Sequence, residues 1–362
     1  MSYRLLLSAA IFGALFAQDA GNLGGEARRA QELAAAGRPE EAARIYRALL
    51  RATPENPVLL LNLCIAEYKA RQFTEAATHA QAALALQPGL LPARLFLGAA
   101  RFELSEFEKA AGALEQVVAA SPGDRNARLM LGEALLGMSK PGQAAVHLQA
   151  AAEMLPDSPR VWYGLGRARE MTGARQAASE AWDRLASLPP SPESHMHMAQ
   201  VQDAGQRWRE AAAEWRAALK LAPESRTARI GAGWALFRLR DYEAAMSVLK
   251  PLLTSDRAEV QFLQGASLLN LQQPIEAMRY LRAAIARDPA MLPARAALGQ
   301  ALLQTGKAEE AIPLLRDAMA VDPDGATHFQ LFRAYQLTHR EAEARQALAA
   351  YRRLRESGVP SP

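Results

Sequence analysis

VWYGLGRAREMTGARQAASEAWDRLASLPP, residues Val161–Pro190, is the stretch whose reading decides the fold. Its first half is built on a small residue, Gly166, with Trp162 and Leu165 a turn or less before it. Its second half sets Ala178 and Trp182 at helical spacing and ends at Pro190. Apolar residues at such intervals predict two helices, and the proline stops the second. The same proline recurs at 54, 88, 122, 156 and 190, a constant step of 34, and Pro223, Pro289 and Pro323 continue the series with small slippage. Phrases such as EAARIYRALLRATP, KAAGALEQVVAASP and EAAAEWRAALKLAP precede these prolines, and LFLGAA, LMLGEA and ARIGAGWA lie earlier in their units. Each unit therefore reads as helix A, turn, helix B, turn.

This pattern resembles the tetratricopeptide repeat family, whose period and small, alanine and proline positions it matches slot by slot. About ten units can be laid out over residues 23–358. The resemblance implies an all-α fold, a right-handed superhelical solenoid of helix-turn-helix repeats whose concave face is lined mainly by the A helices. The physics agrees. One hairpin of this length cannot bury enough apolar surface to offset its chain entropy, so each must stack on the next. Gly98, Gly132, Gly166, Gly233, Gly265 and Gly299 share one slot in helix A, where a small side chain allows close approach. Cys64, the sole cysteine, occupies the same slot and reads as a small buried residue; no internal disulfide can form.

Composition narrows the function. Of 362 residues half are apolar and only 6% aromatic, and 42 Lys and Arg face 38 Asp and Glu. A net charge of +4, with arginines dispersed among carboxylates, is not the concentrated stripe that nucleic acid requires. The opening MSYRLLLSAAIFGALFAQDA has one cation, Arg4, and then a short apolar run, Leu5–Ala17. It predicts a signal peptide at 1–17 cut before Gln18, a short linker at 18–22, and export to the periplasm. The alternative is an uncleaved segment that anchors the chain to the membrane. Residues 359–362 read as a tail.

SHMHMAQ, Ser194–Gln200, invites a metal reading. His195 and His197 lie two residues apart, roughly 200° around a helix, so one ion cannot take both. In register with Val161–Pro190, His195 matches Trp162, a wedge between helices A and B, and Met198 matches Leu165 and faces the core. No metal site, cofactor or catalytic residue is expected. No HExxH, GxSxG or phosphate-loop word occurs, and Gly306-Lys307 lacks the following Ser or Thr.

The expected working surface is the inner wall, at positions three before, one after and four after the small slot. The candidates are Tyr68, Phe102, Tyr163, Arg167, Trp234, Phe237, Phe262, Phe329 and Arg333, with Trp234 and Phe237 foremost. Some relatives read acidic chain termini through a lysine, asparagine and arginine clamp; only Asn62 fits that clamp, so a reader of chaperone tails is disfavoured. Two irregularities, Leu188–Ser194 and Pro251 inside a helix B, predict subdivision near 188–194 and 250–260, the second with a change of pitch. Pro313 is expected near the first turn of its helix, where it is cheaper to accommodate. The expected function is a protein- or peptide-binding scaffold of the bacterial cell envelope. The alternative is a subunit associated with cell wall or exopolysaccharide.

Overall fold

The computed structural model describes residues 23–322 and 325–356. The predicted signal peptide at 1–17, the linker at 18–22, Pro323 and the tail at 359–362 lie outside the described residues. Those described form twenty α-helices and no strand, and they divide between Leu185 and Ala186 into two compact units. The first holds α1 (Leu23–Ala35), α2 (Pro39–Ala52), α3 (Pro57–Lys69), α4 (Phe73–Leu86), α5 (Leu91–Glu103), α6 (Phe107–Ala120), α7 (Arg125–Gly137), α8 (Pro141–Met154), α9 (Pro159–Met171) and α10 (Arg175–Ala186). The second holds α11 (Pro192–Ala204), α12 (Trp208–Leu221), α13 (Arg226–Arg238), α14 (Tyr242–Leu249), α15 (Ala258–Asn270), α16 (Pro274–Arg287), α17 (Leu292–Gln304), α18 (Ala308–Ala318), α19 (Ala326–Leu337) and α20 (Glu341–Glu356). Within each unit every helix packs on the next, and the odd-numbered A helices from α3 onward also touch one another in series. This is the all-α stack of hairpins that the period predicts.

Caps and turns explain why the elements begin and end where they do. Asn56 and Asp124 each accept two backbone N–H bonds at the start of α3 and α7, and Ser191 forms a capping box with Ser194 at α11. Each A helix from α3 to α19 ends in a tight turn whose third residue, or thereabouts, is left-handed. Glycine supplies it at Gly173 and Gly306, but Arg71, Ser139, Gln206 and Arg240 adopt it too.

Size is matched across each hairpin. The Gly132 slot faces Leu148 sixteen residues on, and a Cβ at Gly132 would lie 2.5 Å from Leu148 Cγ. At Gly166 the facing residue is Trp182, and the added Cβ would lie 2.3 Å from its ring. Where the slot holds the larger Cys64, the residue sixteen on is Ala80, and both are fully buried. Volume is conserved while its owner changes.

The residue four before the slot meets helix B of its own hairpin, Trp162 beneath Arg184, Arg94 at Gln116 and His195 at Glu214. In most units it also reaches back to the turn that ended the previous hairpin. The guanidiniums of Arg94, Arg128, Arg229 and Arg295 donate to the carbonyls of Pro88, Pro122, Pro223 and Pro289, and the Trp162 indole donates to Pro156 at 2.7 Å. Gln261 does the same to the Leu253 carbonyl at 2.7 Å, and His328 pairs with Asp322, which also caps α19. An acceptor in the inter-hairpin turn is thereby satisfied by whichever donor is long enough.

The two irregular prolines act differently: Pro251 ends a helix early, whereas Pro313 is accommodated inside one. α14 stops at Leu249 after eight residues, against fourteen in α12 and α16, so Pro251 lies in a following 3-10 turn, Lys250–Leu252. Pro251 has no N–H for the Ser247 carbonyl, which instead accepts from Lys250 in a tightened turn. Pro313 lies in the second turn of α18, just past the first. The helix continues because Pro313 and Glu309, whose carbonyl loses its partner, are on the exposed side.

Candidate functional site

In the first unit the predicted wall residues divide by burial. Asn62 is 7% exposed and Tyr68 6%, with the Tyr68 ring edge-on to Phe73 and Phe96 at 5.5 and 5.6 Å. Both are packing residues, because A helices this close cover the positions that point along the wall. Phe102 is half-buried against Phe107 at 5.6 Å. Tyr163 is half-buried 6.1 Å from Trp182, and the exposed Arg167 guanidinium lies 5.8 Å over the Tyr163 ring.

In the second unit Trp234 sits 6.2 Å from Phe237 and 5.9 Å from Phe262, and Phe237 lies 5.5 Å from Tyr242. Phe262 is 9% exposed and belongs to the core, since α15 is buried without a break from Val260 to Leu269. Farther along, Phe329 is 38% exposed and leans on Phe332 and Tyr351, one turn before the exposed Arg333. The structure therefore clusters Trp234, Phe237 and Phe262, and leaves Phe329 and Arg333 as a separate patch.

Trp234 also lines a hollow of about 510 Å³. α11 contributes Asp203, α12 contributes Trp208 and Trp215, and α13 contributes Ile230, Gly231, Trp234 and Arg238; Arg257 and Glu259 close the far side. Gly231 is needed here, because a Cβ at that position would lie 2.4 Å from the Trp215 ring. Without it the indole could not lie against α13. The Trp215 Nε1–H donates to Asp203 Oδ2 at 2.9 Å. Burial holds the Asp203 carboxyl above its ordinary range, and the indole N–H pulls weakly the other way. The Arg238 guanidinium lies 5.6 Å over the Trp208 ring. A hollow with indole walls and a few fixed charges suits an apolar side chain carried on a polar backbone.

Trp208, Trp215 and Arg238 were not foreseen. A signal existed, for three of the five tryptophans fall within 208–234. It could not be read without knowing that α12 turns its indoles toward α13. A second hollow of about 510 Å³, between Thr53 and Val58 and beside Gln87, lies at a turn, and its Asn56 side chain is occupied by the amides of Val58 and Leu59.

The SHMHMAQ residues meet different partners. His195 Nδ1 is 2.6 Å from Glu214, while His197 Nδ1 is 3.0 Å from Gln200. Met196 and His197 are buried and Met198, the expected core residue, is half-buried, the pattern also seen at Leu95, Phe96 and Leu97; Ser225 approaches the Met196 sulfur. No group of three or more His, Cys, Asp or Glu with metal-binding geometry occurs among the described residues. Burial pushes the Cys64 thiol up, out of the reactive range.

Two profiles described as tetratricopeptide repeat match the chain, one over 65–125, 95–137, 129–193 and 198–258, the other over 33–89 and 268–334. The chain belongs to the tetratricopeptide repeat family. Among solved tetratricopeptide-type structures, the APC/C hetero-tetramer Cut9–Hcn1 is similar over 82% of this chain and 58% of that one, at 17% identity and a TM-score of 0.57. MamA 41-end from Desulfovibrio magneticus RS-1 is 26% identical over 46% of this chain and 96% of that one, with a TM-score of 0.44. A tetratricopeptide repeat protein from Parabacteroides merdae is 15% identical over 77% of this chain and 98% of its own, with a TM-score of 0.46. No curated protein matches the chain. The tetratricopeptide repeat is a protein-interaction scaffold, and that is the class of activity its membership supports.

Proposed function

We propose that this chain is a non-enzymatic scaffold of the bacterial cell envelope that binds segments of other proteins in the hollow beside Trp234. The observation that carries the reading is the hollow itself: Trp208 of α12 and Trp234 and Ile230 of α13 line one opening, with the buried Trp215 behind them. Large aromatic side chains of this kind anchor peptide partners at low entropic cost. The repeat family supports the class of activity, and the apolar run Leu5–Ala17 supports export. No helix among the described residues is long and apolar enough to cross a membrane.

A photoreactive residue placed at Trp234 tests the binding reading in living cells. It is expected to crosslink a discrete set of envelope proteins that the same residue at Val146, an exposed helix-B position, does not. Identical products from both positions would remove the reading. Terminal sequencing of the fractionated protein tests export, with Gln18 expected as the first residue. Indoles also stack on sugars, so co-sedimentation with purified cell-wall polymer, abolished by Trp234→Ala, would favour the carbohydrate alternative instead.

A further inference from the structure

The charges around the hollow are unequal in availability. Asp203 is turned inward, spending one oxygen on the Trp215 indole. Arg257 meets Glu259 only at 3.8 Å, with both side chains well exposed, an ion pair that is easily exchanged. Arg238 is exposed, is held in place by the Trp208 ring, and has no carboxylate within ion-pair distance among the described residues. Stacking on an indole fixes the plane of a guanidinium and leaves its fork of donors facing outward. The mouth thus presents two guanidiniums against one solvated carboxylate.

We propose that the hollow selects an acidic internal protein segment, one that lays a bulky apolar side chain on Trp234 and Ile230 and pairs a neighbouring carboxylate with Arg238. This rests on the peptide-binding reading above and specifies its ligand. A basic segment would bring its charge beside Arg238 and Arg257, so repulsion screens it out. A nucleic acid needs a row of cations along its backbone, and two arginines around an apolar hollow do not form one.

Fluorescence anisotropy with the full chain tests this. The probes are labelled peptides of one scaffold with Glu-Phe-Glu, Gln-Phe-Gln, Lys-Phe-Lys or Glu-Ala-Glu at the centre, and a single-stranded oligothymidylate. The Glu-Phe-Glu peptide is expected to bind tightest, and the Gln-Phe-Gln peptide about tenfold more weakly, the effect of losing one charge-assisted bond at a partly exposed site. Arg238→Glu, on the exposed end of α13, is expected to fold normally by circular dichroism and to reverse the order of the Glu and Lys peptides. Equal binding of acidic and basic peptides, an order unchanged in Arg238→Glu, or tighter binding of oligothymidylate would overturn the proposal. If Phe-bearing peptides bind regardless of charge, this inference falls and the peptide reading stands. If none binds, both fall.

Discussion

Gly132 and Leu148 show what a single atom decides in this array. In an exposed helix, glycine to alanine stabilises by about 1 kcal/mol. At Gly132 the new methyl would press on Leu148 Cγ at 2.5 Å, and Leu148 is fully buried with nowhere to retreat. Gly132→Ala is therefore expected to destabilise by about 1–3 kcal/mol, read from denaturant unfolding. Leu148→Ala alone should cost about 2–5 kcal/mol, and the double variant should lose less than the sum of the singles, because the new methyl enters the space the leucine leaves; a double variant worse than that sum would contradict the volume argument. Asp203 gives a prediction in pH. Its folded carboxyl titrates above the unfolded one, so ionisation weakens the native state as pH rises from about 3.8, the ordinary aspartate value. Asp203→Asn keeps an acceptor for Trp215 and has no charge to desolvate. Thermal melts should show no advantage for the variant below that pH and a growing one toward neutrality. A variant advantage that shrinks with rising pH would refute the sign.

At the scale of an element, α15 departs most from its counterparts. Gln264 stands where α3, α5, α7 and α9 carry Leu63, Leu97, Leu131 and Leu165, and Ser267 stands where they carry alanine. Both are buried, and neither Gln264 Oε1 nor Ser267 Oγ meets a protein partner. Gln261, a turn earlier, is satisfied by the Leu253 carbonyl. The stripe faces the short α14, whose Tyr242 hydroxyl reaches Asn270 at the far end. An unpaired buried carbonyl costs about 1–3 kcal/mol, so Gln264→Leu is expected to stabilise by about 1–2 kcal/mol in chemical denaturation. No gain, with an unchanged denaturant slope, would mean that the amide is satisfied in solution. The sequence shows this glutamine plainly. What it hides is that α15 has no solvent face on which to place it.

Across the whole molecule, the period carried most of the fold. A proline every 34 residues and a small residue ahead of it located helices A and B, because both mark places where the backbone itself is constrained. The candidate site was less legible. Trp234 stood out by size beside Gly233, but Tyr68 and Phe262, at the other two wall positions, and Asn62 are packed inside. Exposure depends on how closely neighbouring A helices approach, and that is set by side chains a full unit away. The turn-clipping position was invisible for another reason: arginine, tryptophan, glutamine and histidine have no common composition there, only a donor of sufficient reach.

The Trp215 contact with Gly231 has a consequence for descent by duplication. Much of the size matching lies inside one hairpin, as between Gly132 and Leu148. Trp215 instead reaches across a boundary, from α12 to α13, and removal of α13 and α14 would set it against Leu263 of α15. Excising α13 and α14 should therefore leave a chain that no longer melts cooperatively. The two hairpins that build the hollow are thus inherited together or not at all.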